Sequence, residues 1–194
     1  VEKAEPESEL GEDLNDLRDA VHTVARRSDS LMQFVNSYRQ ITRLAPPEKK
    51  RIHIKDLFDS VHRLAKAEWP GCDSVLAVKV EPDELDVYAD RDLLEPVVMN
   101  LLRNAFQATQ DLEGAHIELH GRLNRRGNVV IEVADNGPGV PEEIARKIFV
   151  PFFTTKEEGS GVGLALARQV MTAHGGFVRV SKNDGGGAVF SLTF

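Results

Sequence analysis

Asp135-Asn136-Gly137-Pro138-Gly139, closing the apolar run Val129-Val130-Ile131-Glu132-Val133, is answered downstream by Gly159-Ser160-Gly161-Val162-Gly163-Leu164. The apolar run reads as a strand, so Asp135 stands at a strand end, where a carboxylate can accept a hydrogen bond from an exocyclic amine such as that of adenine. Gly137 and Gly139 let the backbone turn against a flat ring with no Cβ in the way. The glycines of the second block precede a helical run over 164–173, which sets free backbone N–H groups and the positive end of a helix dipole where phosphates can sit. Either cluster alone is an ordinary turn. A third piece changes that reading: Asn100 and Asn104 are spaced i, i+4 in Glu95-Pro96-Val97-Val98-Met99-Asn100-Leu101-Leu102-Arg103-Asn104-Ala105, so both amides share one face of an otherwise apolar helix. Amides placed there must find partners.

Bulk composition narrows the classes further. At 194 residues and 41% hydrophobic content the chain can bury a sizeable core. A formal charge of −7 argues against nucleic-acid binding, because no basic excess is available to displace counterions from a phosphate backbone. The single cysteine, Cys72, excludes an internal disulfide and fits a reducing compartment, so a cytoplasmic location is expected. No apolar run is long enough to cross a bilayer, and Val1-Glu2-Lys3-Ala4-Glu5-Pro6 is no signal peptide. Any membrane attachment would lie in segments outside this sequence.

Two regions are expected, 1–47 and 48–194. After an acidic start, Leu10, Leu14, Leu17, Val21, Val24, Ser28, Leu31, Val35 and Tyr38 alternate steps of four and three, a heptad seam. A helix over 12–45 would be roughly 50 Å long at about 1.5 Å per residue. Its stripe needs a partner helix, most simply from a second copy of the chain, unless it folds back onto the domain. Pro46-Pro47 ends it. A short strand at 52–54 follows, then a helix through 67 capped by Asp56 with Leu57, Val61 and Leu64 inward, and strands at 75–80 and 85–88. Asp90 is the expected N-cap of the helix carrying the paired asparagines, which ends near Thr109. Hairpins join 116–123 to 128–134 and 177–181 to 188–194. His116 and His120 read as exposed strand residues, and His174-Gly175-Gly176 as a helix stop. This order predicts an α/β two-layer sandwich, a mixed sheet with helices on one face, preceded by one long helix.

These motifs resemble the ATP-binding catalytic domain of sensor histidine kinases, within the superfamily of gyrase, mismatch-repair and heat-shock chaperone ATPases. Asn100-Leu101-Leu102-Arg103-Asn104-Ala105 is similar to the N box and Asp135-Asn136-Gly137-Pro138-Gly139 to the first glycine box. Phe149-Val150-Pro151-Phe152-Phe153-Thr154-Thr155-Lys156 is similar to the F box, and Gly159-Ser160-Gly161-Val162-Gly163-Leu164 to the second glycine box. The wording is closest to the nitrogen-sensor type. The resemblance implies a Bergerat-type ATP-binding fold whose cofactors are ATP and Mg2+, with Asn104 as magnesium ligand. Asp135, Gly137, Gly139, Phe153, Gly161, Val162, Gly163 and Leu164 then line the nucleotide, and Lys156 neutralises phosphate charge. Residues 150–161 become a lid over the nucleotide. It also implies a homodimer through the N-terminal helix and a response-regulator receiver domain as partner.

One position discriminates among the relatives, and one departs from their pattern. ATP-hydrolysing relatives carry a glutamate four residues before the metal-binding asparagine; here Asn100 stands there, and an amide cannot take a proton from water at neutral pH. Phosphoryl transfer to an imidazole brought from outside is therefore expected over hydrolysis. Neither His22, His53 nor His62 is followed by the acid and proline of the family's phosphoacceptor motif, so the accepting histidine is expected on another helix. In addition, relatives often place Thr or Ser after the last glycine turn to help hold adenine, where this chain has Gly187-Ala188-Val189-Phe190. A non-catalytic nucleotide-binding dimeric adaptor, and a serine kinase or ATPase of the same superfamily, are the alternatives.

Overall fold

The structure, a computed structural model, describes residues 45–156 and 159–194 together with Arg18, Val21 and Val24. The long helix expected over 12–45 therefore lies outside the described residues, apart from Arg18, Val21 and Val24, which are helical and exposed, and Ala45, which is not helical. Two compact units divide the chain, Val1–Thr42 and Arg43–Phe194. Among the described residues no helix is long and apolar enough to cross a membrane.

The second unit holds two sheets. Strands β1 (Lys50–His53) and β3 (Asp86–Ala89) form an antiparallel ribbon. Strands β2 (Leu76–Glu81), β4 (Ile117–Leu123), β5 (Val129–Asp135), β7 (Ala188–Thr193) and β6 (Phe177–Lys182) form a five-stranded sheet in the order β2-β4-β5-β7-β6. Only β2 and β4 run parallel, so the sheet is mixed, as the element order predicts. Alternation sorts its two faces. Ile117, Leu119, Ile131, Val133, Phe190 and Leu192 point into the core. There they meet α1 (Ile54–Glu68) through Leu57, Phe58 and Val61, α2 (Arg91–Thr109) through Leu94, Val98, Leu101 and Leu102, and α3 (Gly163–Ala173) through Ala167, Val170 and Met171.

The outer face is polar and internally paired. Arg122 grips Glu132 with two hydrogen bonds of 2.7 and 2.8 Å. His116 is exposed as expected, but His120 is half-buried because Glu81 and Glu118 close over it at 3.5 and 3.4 Å.

Capping explains where α2 and α3 sit. Asp90 accepts from the Asp92 and Leu93 amides at 3.0 and 3.3 Å, fixing the start of α2. The stop after α3 does more than end a helix: buried His174 accepts from the Asp90 amide through Nε2 at 2.9 Å and donates from Nδ1 to the Val170 carbonyl at 2.7 Å. The end of α3 is thereby tied to the start of α2. Helix α1 departs from expectation in two places. It begins at Ile54 with His53 in the cap position, so Asp56 lies inside the first turn and complements the helix dipole instead of capping. Its buried stripe is Ile54, Leu57, Phe58, Val61 and Ala65, and the final step of four carries Leu64 off that stripe to 44% exposure.

Candidate functional site

Strand β5 ends in Asp135, which is only 4% exposed. Its Oδ1 accepts from the Gly137 amide at 2.9 Å and from the Ala188 amide at 3.3 Å. Burial pushes the carboxyl pKa up, and the two backbone N–H groups oppose the shift without cancelling it. The Ala188 contact places a backbone N–H on the carboxylate just after the last glycine turn, where this chain has no hydroxyl side chain. Asn183, not anticipated from sequence, donates to the Asp135 carbonyl at 2.9 Å and pins the β6–β7 turn over the strand end.

That approach depends on Gly187. Its φ is +91°, and a Cβ there would lie 2.0 Å from the Asp135 carbonyl oxygen. Gly187→Ala is expected to cost about 2–3 kcal/mol, combining a left-handed backbone with a backbone clash. An unchanged urea midpoint would contradict the close packing of this turn.

The other wall is α2. Asn100 and Asn104 lie one turn apart on the face it turns toward the second glycine block, with Gln107 continuing the row. Helix α3 begins against that face: a Cβ on Gly163 would fall 2.0 Å from Asn100 Oδ1, so a larger residue there would have to displace the Asn100 amide. Asn100 Nδ2 is buried without a hydrogen-bond partner, a donor whose cost is relieved only if something enters to accept from it. Val162 occupies the cap position of α3 and no side chain caps the helix, so its first-turn N–H groups face the same space. Gly161, with φ +65°, accepts from the Phe152 amide at 2.8 Å, pinching the loop at its base. Phe152 itself takes a φ of +67°, a strained conformation for a non-glycine residue. Residues 157 and 158 of the expected lid lie outside the described residues.

Two cavities of about 260 Å³ each adjoin here and share Asn104, Ile148, Thr155, Lys156 and Leu164. One lies over Asp135, Gly139 and Ala188 and is mainly apolar. The other runs past Asn100, Gln107, Phe153 and Gly161 to Gly163 and is more polar. At their junction Lys156 Nζ donates to Asn104 Oδ1 at 3.1 Å and to Gln107 Oε1 at 2.5 Å. Desolvation lowers the Lys156 pKa. The structure gathers Asn100, Asn104, Asp135, Gly139, Phe153, Lys156 and the 161–164 run around these adjoining cavities, while Gly137 lines neither of them and touches the site through its amide bond to Asp135. Sequence reasoning missed Gln107, which the helical stripe would have shown if extended by three residues, and Arg103. The latter lines the polar cavity while gripping Glu68 of α1 at 2.8 and 2.9 Å, a tertiary pairing with no local signal.

The family described as histidine kinase-, DNA gyrase B- and HSP90-like ATPases matches residues 89–194. The sensory histidine kinase/phosphatase NtrB of Rhodobacter capsulatus is 31% identical over 185 residues, covering 90% of this chain and 51% of that protein. Among solved structures, the catalytic domain of histidine kinase ThkA is 30% identical with a TM-score of 0.67, covering 76% of this chain and 95% of that one. Full-length ShkA in complex with AMPPNP is 27% identical with a TM-score of 0.73, covering 91% of this chain and 38% of that one. The chain spans 21% and 51% of the first two curated relatives it matches. The fold, the four motifs around one crevice and these likenesses agree: the chain belongs to the histidine kinase-, gyrase- and HSP90-like ATPase family and carries the ATP-binding catalytic domain of a sensor histidine kinase.

Proposed function

We propose that the crevice binds Mg-ATP and that the γ-phosphoryl group passes to a histidine on a dimerisation helix, for relay to an aspartate of a response-regulator receiver domain. Asp135 takes the adenine amine at the apolar end, with Gly137 and Gly139 keeping the loop flush against the ring. The triphosphate runs past the uncapped start of α3, where Gly161, Val162, Gly163 and Leu164 present backbone N–H groups. Phe153 closes the side of the polar cavity.

The donor set fits magnesium and phosphate. Asn104 offers a neutral amide oxygen, the hard ligand such an ion prefers, and a cationic group already rests on it in the form of the Lys156 ammonium. When bound, magnesium would neutralise triphosphate charge. Lys156, leaving Asn104, then serves the phosphates. The observation that carries this reading is the orphaned Asn100 Nδ2, buried at the phosphate end. It supports a residue that donates to an anion and takes no proton from water, leaving in-line placement and charge neutralisation as what the site supplies.

Incubating the chain with γ-labelled ATP and Mg2+, with and without a separate helix bearing an acceptor histidine, tests this reading. Acid-labile label on that histidine is the expected result. Tight nucleotide binding with no label would favour the adaptor, and label on serine or rapid phosphate release would favour the serine kinase or ATPase. Dimerisation through the N-terminal helix is part of the same proposal, because a seam of that length needs a second helix.

A further inference from the structure

Away from the crevice, the last turns of α1 and the short 3₁₀ turn Cys72–Ser74 bring together three side chains of different chemistry. His62 lies on α1, Cys72 and Asp73 on the turn, and one donor atom from each falls within 4.8 Å of the others. We propose that His62, Cys72 and Asp73 form a binding site for a thiolate-preferring divalent cation of the zinc type.

The donor set selects the ion. A thiolate, an imidazole and one carboxylate oxygen suit zinc and its neighbours, whereas magnesium and calcium take oxygen ligands. Cys72 is 2% exposed and forms the floor of the site. His62 and Asp73 are 37% and 47% exposed along their side chains, leaving a solvent side for entry and a fourth position for water.

The surroundings are already arranged for this. His62 Nε2 and Asp73 Oδ1 are 2.8 Å apart. Ligand atoms around a tetrahedral ion stand about 3.3–3.7 Å apart, so that pair has to open by about half an ångström while Cys72 Sγ, within 4.8 Å of both, draws in toward them. The second oxygen of Asp73 is held by Lys66, one turn beyond His62. That contact can persist when Oδ1 turns to the ion, orienting the carboxylate from behind as outer-shell partners do. The turn is fixed independently: the Val75 amide bonds the Cys72 carbonyl at 3.0 Å and Ser74 Oγ bonds the Gly71 carbonyl at 2.8 Å. On binding, the thiol proton passes to solvent and the thiolate takes the ion. None of these residues lines the nucleotide crevice, so the site stands or falls apart from the reading of that crevice.

The test is a Co2+ titration of the full chain, chelator-treated and without nucleotide, followed by Zn2+ displacement. One equivalent of Co2+ is expected to raise a near-ultraviolet thiolate-to-cobalt charge-transfer band and visible bands of four-coordinate intensity, both bleached by Zn2+. Cys72→Ser should lose the charge-transfer band. His62→Gln, at a half-exposed position that leaves the core intact, should weaken Zn2+ binding at least tenfold. A wild-type titration with no charge-transfer band overturns the proposal, and so does Zn2+ affinity unchanged in His62→Gln.

Discussion

Asp135→Asn is expected to weaken nucleotide binding by about a hundredfold or more, because the asparagine turns an amide donor toward the adenine amine and leaves two donors facing each other. The same substitution is expected to leave the fold at least as stable at neutral pH. Asparagine keeps an oxygen for the Gly137 and Ala188 amides, which now hold Oδ1. The sign follows from the pKa. Burial raises the Asp135 carboxyl above its unfolded value, so the folded state binds that proton more tightly than the unfolded state. Its favourable contribution is complete below the unfolded pKa of about 3.9 and disappears as pH rises through the folded value. At neutral pH the buried charge is a net cost that an amide avoids. Fluorescent-nucleotide titration and thermal melts of the two proteins should therefore move in opposite directions. Unchanged affinity would remove Asp135 from the adenine site, and a collapse in melting temperature would make its role structural.

Asn104→Ala is expected to lower phosphoryl transfer by about 10²–10³-fold, the scale on which one preorganised group aimed at developing charge acts. The loss should be specific to the metal. Nucleotide binding in Mg2+-free buffer should change little, while the gain in affinity that Mg2+ confers on the wild type should vanish, because the amide oxygen now shared with Lys156 is the expected ligand. Titrations with and without Mg2+ decide it. Equal Mg2+ dependence in the two proteins would move the ion to another residue. The variant also leaves Lys156 with Gln107 as its remaining partner of the pair, so a rise in Mg2+-free affinity would point to Lys156 as an obstacle that Asn104 holds in place.

What the sequence made legible was local or periodic. Asp90 caps α2 because a carboxylate before an apolar-periodic run can reach the amides just beyond it. The hairpins followed from turn residues between alternating runs, and the paired asparagines from the pitch of one helix. The less legible features are set by elements distant in the chain. Nothing near Ala188 announces that its backbone N–H would reach the Asp135 carboxylate; that follows from Gly187 pressing the β6–β7 turn onto the end of β5. Arg103 finds Glu68 thirty-five residues away, and His120 is half-buried because β2 and β4 place acids on either side of it. The orphaned amide of Asn100 is likewise invisible in a helical wheel. Its isolation comes from the start of α3 closing against it.

The most direct test of the crevice as a nucleotide site is a crystal structure of the chain grown with Mg2+ and a non-hydrolysable ATP analogue. The expected result has the adenine amine on Asp135, the ion on Asn104 Oδ1 with Lys156 released toward phosphate, and an acceptor oxygen on Asn100 Nδ2. A crevice filled by the protein's own side chains, or a nucleotide seated elsewhere, would contradict it.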